Sequence, residues 1–186
     1  MTFTEAIKAQ YAAEVKQSDH DHHNPTAGAM TNHIVSNHVV LTNQLRQLRW
    51  FVKGANATQL AADFKQTATE NSAWIDRLGD DLLDENEIPA NISREYAEWS
   101  MLEENGETKY LSADAMIDVL VHAFNTDNLF VTRAIALAQK ENRPVLAAEL
   151  VALLGWNNRQ IRQYQAILGH DARFGLDEED DDDDED

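Results

Sequence analysis

The chain has no cysteine, which excludes a disulfide framework and any thiolate-based metal or redox site. With three prolines and seven glycines in 186 residues, it has few places where regular structure must break. No apolar run approaches the roughly eighteen residues that a membrane span needs. The opening Met-Thr-Phe-Thr-Glu lacks the basic and apolar regions of a secretory signal, so a cytoplasmic location is expected. Basic residues are also scarce, 15 Lys and Arg against 33 Asp and Glu, which argues against DNA binding through a broadly basic face. There is no Gly-rich phosphate loop, nucleophile elbow or His-Glu-x-x-His pattern, leaving hydrolase, kinase and zinc-finger chemistry without support.

What is present is helix-forming and acidic. Residues 177–186 are all Asp or Glu and carry ten of the eighteen net negative charges, leaving −8 for the rest. Such a run repels itself and is expected to stay solvated, with a secondary capacity to attract cations. No segment alternates with the period of two of an exposed strand, so the chain is expected to be all-α. A first short helix over about residues 4–17 places Phe3, Ile7, Tyr11 and Val15 on one side, and its charges nearly cancel, which suits docking better than DNA binding. After a polar break at 18–26, Ile34, His38, Leu41, Leu45, Leu48 and Val52 mark a long helix stopped at Gly54. Leu60, Phe64, Thr67, Asn71, Trp74 and Leu78 mark a second, over about 58–83, which must pack antiparallel to the first.

A crossover over 84–111 contains its own helical piece near 93–102, with Tyr96 and Trp99 on one side. Ser112 caps a third long helix whose stripe includes Met116, Leu120, Phe124, Val131 and Ile135. Pro144 begins a fourth, with Leu146, Leu150, Leu153, Ile161, Tyr164 and Leu168 inward, ended by Gly169. Two long hairpins joined by one long connection predict a ferritin-like four-helix bundle with a short helix in the crossover and an extra N-terminal helix. The expected division is an N-terminal helix and His-rich linker over 1–26, the bundle over 27–169 and an acidic tail over 170–186.

Arg49-Trp50-Phe51-Val52-Lys53-Gly54-Ala55-Asn56 resembles the His-Trp-x-x-Lys/Arg-Gly-x-Asn signature of the Dps family, the starvation-induced miniferritins. The resemblance covers about residues 28–168 and extends to Asp76-x-x-x-Asp80 and the crossover helix. The segment from Pro25 to Met30 and the acidic tail look like the subgroup of lactic acid bacteria. The resemblance implies a hollow twelve-subunit homo-oligomer that oxidises ferrous iron with peroxide or oxygen, stores the ferric product and shields DNA under stress. In that family the ferroxidase site lies between subunits: two histidines and an aspartate come from one, an aspartate and a glutamate from its two-fold partner. The second set matches Asp76 and Asp80, with one Glu-to-Asp shortening.

The first set is replaced. Its positions fall on Arg49, Ala61 and Lys65. Guanidinium and ammonium groups have no lone pair to give a metal and repel it. Arg49 and Lys65 are instead expected across a two-fold interface from the partner's Asp76 and Asp80, forming an ion-pair cluster where relatives hold metal. The bland alternative is that Asp76 and Asp80 lie on a polar helix edge. Two functions stay open: an iron-sequestering stress-protection shell, with or without ferroxidase activity, and a non-catalytic shell with a structural, metal-buffering or nucleoid-associated role. Direct DNA binding is the weaker partner assignment.

His20-Asp21-His22-His23 is the densest group of ligand-type residues, read as a loop that either binds zinc, iron or another divalent metal or is simply solvated. His33 is placed to join it. His38 and His122 are read as packing residues rather than ligands. Trp50, Trp74, Trp99 and Trp156 are expected as core or interface anchors. Asp127, Glu141 and Glu149 are candidates for an acidic pore or inner wall, against the plainer alternative of a solvated helix edge.

Overall fold

A computed structural model describes residues 2–23 and 25–176; the acidic run 177–186 and the side chains of Asp19, Asp21 and His22 lie outside the described residues. The elements are α1 (Glu5–His23), α2 (Ala27–Phe51), α3 (Ala57–Asp84), α4 (Ser93–Trp99), a 3-10 turn (Gly106–Tyr110), α5 (Ala113–Lys140) and α6 (Pro144–Ile167). There is no strand among the described residues, and the four long helices form the expected bundle.

The helix ends follow local chemistry. Thr26 caps α2 by accepting a hydrogen bond from the Ala29 N–H at 3.0 Å, and Ser112 caps α5 by accepting one from Ala115 at 3.3 Å. After α2 the chain passes through Gly54 at φ +112°, a conformation that disfavours a side chain. Asn86 and Asn142 hold left-handed backbone just past α3 and α5, at φ +61° and +58°, a role asparagine fills better than most residues. Pro144 opens α6, where a missing N–H costs nothing.

The apolar stripes meet in one core. Leu60, Phe64, Trp74 and Leu78 of α3 are buried against Ile34, Leu41, Leu45 and Leu48 of α2, with Leu120, Phe124 and Val131 of α5 and Leu150, Leu153 and Tyr164 of α6 completing it. Phe124 packs edge-on to Trp156 and is stacked near Tyr164. Each fully buried Phe or Leu contributes about 1.5–3 kcal/mol. Ile135 and Leu168 are only half-buried, and Val52 lies one residue beyond the end of α2. Burial raises the Tyr164 phenol well above its ordinary range, while its hydrogen bond with Thr67 pulls the other way.

Two polar arrangements give the apolar bundle its register. Along α2, Asn32 takes the Ile88 carbonyl and Ala90 N–H, Asn37 takes the Met101 N–H, and Gln44 and Gln47 donate to the carbonyls of Glu103 and Asn105. The crossover is therefore laid along nearly the full length of α2. At one end of the bundle, Glu141 accepts from the first N–H of α2 at 2.8 Å, and Arg143 links Glu141, Glu85 and Glu87. A carboxylate there also suits the positive end of the helix. Glu87 lies against Gly28 so closely that a Cβ at that position would sit 2.7 Å from its carboxyl carbon.

Three expectations are corrected here. α1 runs to His23 rather than stopping near residue 17, because Ser, Asp and His are tolerated in helices and no strong breaker intervenes before Pro25. The histidine-rich segment is thus helical, not a loop. His122 is exposed beside Asp118, since it projects away from the stripe that carries Val121. Asp127 is fully buried and cannot line a pore. Its Oδ1 accepts from Asn37 at 2.9 Å, while Oδ2 accepts from Asn157 at 2.8 Å and faces His38 Nε2 at 3.0 Å. His38 is a buried partner of that carboxylate, in line with its assignment to packing. Replacing Asp127 with Ala strands these donors in the core and is expected to cost about 3–5 kcal/mol of unfolding free energy in urea titrations. A loss below about 1 kcal/mol would show that the cage is dispensable.

Candidate functional site

Asp76 and Asp80 stand one turn apart on the exposed side of α3, since residues four apart share a helix face. Lys65 lies eleven residues before Asp76, three helical turns within about 20° of angle, so it falls on the same stripe. Between them this stripe carries the small Ala68, Thr69, Ser72 and Ala73, flanked by the exposed Gln66 and the half-buried Glu70 and Ile75. Arg49 is exposed in the last turn of α2, and Ala61 is half-buried near the start of α3. Among the described residues, none of Arg49, Lys65, Asp76 and Asp80 has a side-chain hydrogen bond or ion-pair partner.

Distance decides what one subunit can do with this set. Lys65 and Asp76 are separated by about 16 Å along α3, far beyond the reach of an ion pair. Arg77, adjacent to Asp76, is already engaged: its guanidinium lies 4.2 Å from the centre of a Trp74 ring and pairs with Glu149 of α6. Glu149 is therefore a partner of Arg77, and Glu141 a helix cap, within the subunit. Trp74 and Trp156 are buried, Trp99 is half-buried, and Trp50 is 68% exposed, without core packing in the subunit.

No three His, Asp or Glu side chains converge on a metal-sized site among the described residues. The set Arg49, Ala61 and Lys65 offers no donor, and one subunit's Asp76 and Asp80 supply carboxylates alone. The residues present do not fit the two-histidine ferrous site of the resemblance. His20 and His23 are three residues apart in the last turn of α1. His23 and His33 line the same cleft of about 520 Å³ between α1, α2 and the crossover. The His33 Nδ1–H donates to the Trp99 carbonyl at 2.7 Å, which fixes the ring against the crossover. The sequence had placed His33 to join this histidine group, and the shared cleft brings it beside His23.

Asp81, next to Asp80 but turned inward, carries a strained charge. Burial pushes its carboxyl up from the ordinary 3.8, the Glu149 carboxylate adds to this, Arg77 opposes it, and Asp84 and Asp80 add a little more. Its Oδ2 is buried without a hydrogen-bond partner. Because the folded-state value lies above the unfolded one, the ionised group destabilises the fold at neutral pH, and the penalty fades as pH falls through the raised value. Asp81→Asn is expected to melt at a higher temperature than the parent at neutral pH, with the difference closing as the pH approaches 3.8. A difference independent of pH would assign the gain to some other cause.

Comparison with known proteins agrees with the geometry. The family model described as a ferritin-like domain matches residues 29–174. The crystal structure of Lactococcus lactis DpsA is 35% identical, with a TM-score of 0.84 over 89% of this chain and 98% of that one. Lactococcus lactis DpsB is 32% identical, with a TM-score of 0.85 over 89% of this chain and 96% of that one. The DNA protection during starvation protein of Listeria innocua is 26% identical over 138 residues, 74% of this chain and 88% of the relative. With the bundle, the crossover helix and the altered signature in place, the chain belongs to the Dps family of ferritin-like proteins.

Proposed function

We propose that this chain is the subunit of a hollow, twelve-membered homo-oligomer that sequesters iron and thereby limits oxidative damage to the cell and its DNA. Iron here is cargo. The observation that carries the proposal is the exposed α3 stripe of Lys65, Asp76 and Asp80, unpaired within the subunit and complementary to its own image. A two-fold axis between Lys65 and Asp76 sets each Lys65 against the partner's carboxylates, and the small Thr69, Ser72 and Ala73 let the two helices approach closely. Arg49, which sits near the start of α3, adds a guanidinium suited to a carboxylate.

In this arrangement side-chain cations hold the position where the family resemblance implies iron, and the interface does not oxidise it. The relatives' name refers to DNA protection; for this chain we assign that protection to iron removal, because a net charge of −18 and an α1 with four acidic residues against two lysines offer little to DNA phosphates. A second role, buffering zinc or other divalent metal, rests on His20, His22 and His23 at the end of α1, with His23 and His33 sharing a cleft.

Anaerobic ferrous titration followed by peroxide tests the interface directly. Ferric formation is expected to start at the protein-free rate in both the parent and an Asp76→Asn, Asp80→Asn variant. Rapid oxidation in the parent that disappears in the variant would overturn the substitution of iron by side chains.

Assembly supplies an independent check. Arg49→Glu with Lys65→Glu is expected to shift the sedimenting mass from about twelve chains toward smaller species, because like charges then face each other across the axis. Adding Asp76→Lys and Asp80→Lys to the same chain should restore the large species. An unchanged mass in the first variant would remove the proposed ion pairs.

A further inference from the structure

Beyond iron and assembly, the end of α6 carries a cationic surface that none of the roles above uses. Arg159 and Arg162, three residues apart on one face of α6, border an open cleft of about 550 Å³. Past α6 the chain folds back on the bundle: the Phe174 carbonyl accepts from Gln165 Nε2 at 2.8 Å, and the His170 and Phe174 rings stack with centroids 4.1 Å apart. This return sets Ala172 and Arg173 on the other side of the same cleft, with the Arg173 guanidinium 3.4 Å from Asn125 Oδ1.

Three guanidinium groups thus border one cleft in a chain with only 15 Lys and Arg. Like charges at this spacing repel unless an anion lies among them. Neither Arg159 nor Arg162 has an acidic partner among the described residues.

We propose that the cleft is the docking site of the chain's own acidic segment, residues 177–186. That segment starts four residues after Arg173, immediately beyond the half-buried Leu176, and consists of ten consecutive carboxylates. Ten extended residues span roughly 33 Å, more than the cleft requires. Tethering through so few residues gives an effective concentration on the order of millimolar or higher, an advantage that a free phosphate polymer lacks. Any single exposed pair is worth little, so docking is the sum of several charges and gives way as salt rises. Its consequence is that this cationic surface is neutralised by the chain itself, and an incoming polyanion must displace the tail to reach it.

Zero-length carbodiimide coupling on the full-length chain reads this contact. In Arg162→Lys, and separately in Arg159→Lys, the introduced amine is expected to form amide links to residues 177–186. By peptide mass spectrometry these should be about tenfold more abundant than links from the tail to exposed Lys140, and strongly reduced at high salt. Two single variants at exposed positions guard against misfolding of either. Coupling at 159 and 162 no greater than at Lys140, or coupling indifferent to salt, would overturn the proposal.

Discussion

The bundle depends on one buried carboxylate. Asp127 of α5 sits with no exposure among Asn37 and His38 of α2 and Asn157 of α6, and α3 joins through Asn71, whose amide donates to the His38 carbonyl at 2.7 Å and to Thr42 Oγ1 at 2.8 Å. A charge in an apolar core is tolerated only when donors surround it. Here they come from two neighbouring helices. Apolar stripes alone would let α2, α5 and α6 slide by a turn with modest loss, because burial is non-directional. The Asp127 cage admits one register, since a slip of a single turn moves every donor about 5.4 Å from its acceptor.

With the interior register set this way, the outer faces are released for other work. The crossover is held by the polar side chains of α2, so it does not compete for the stripe of α3 that carries Lys65, Asp76 and Asp80. Arg77, which could have neutralised Asp76 locally, is drawn inward by Trp74 and Glu149. The local fold thus withholds an internal partner from the surface carboxylates, the condition under which a second subunit becomes the source of one.

Much of this was legible in the sequence, and most of the failures share a cause. The α3 stripe and the Ser112 cap are local signals, and both appear where periodicity and capping place them, whereas α2 ends at Phe51, three residues before the expected stop at Gly54. Asp127 was misread because its partners lie up to 90 residues away, and an acid within a helix otherwise signals solvent. The polar α2 residues that hold the crossover were unreadable for the same reason: each is defined by a backbone group on a distant segment. At α1 the error was local in character. A run of polar residues resembles a break, yet the helix persists until proline forbids it. Asp76 and Asp80 were singled out because family spacing marks them, and the role proposed for them needs a partner that no single chain contains.

The interface proposed here trades a metal for side chains, and the two solutions are not equivalent. A bound cation between carboxylates responds to its own supply, whereas Arg49 and Lys65 are always present and always repel ferrous iron from the position they occupy. The side-chain version gives up rotamer freedom in two long residues but makes shell assembly independent of iron. A subunit built this way can close its shell before iron arrives. Its capacity to hold iron then rests on what the enclosed surface does, rather than on chemistry at the two-fold axis. Under the proposed interface, oxidation and storage, which the family resemblance ties to one site between subunits, would become separable properties.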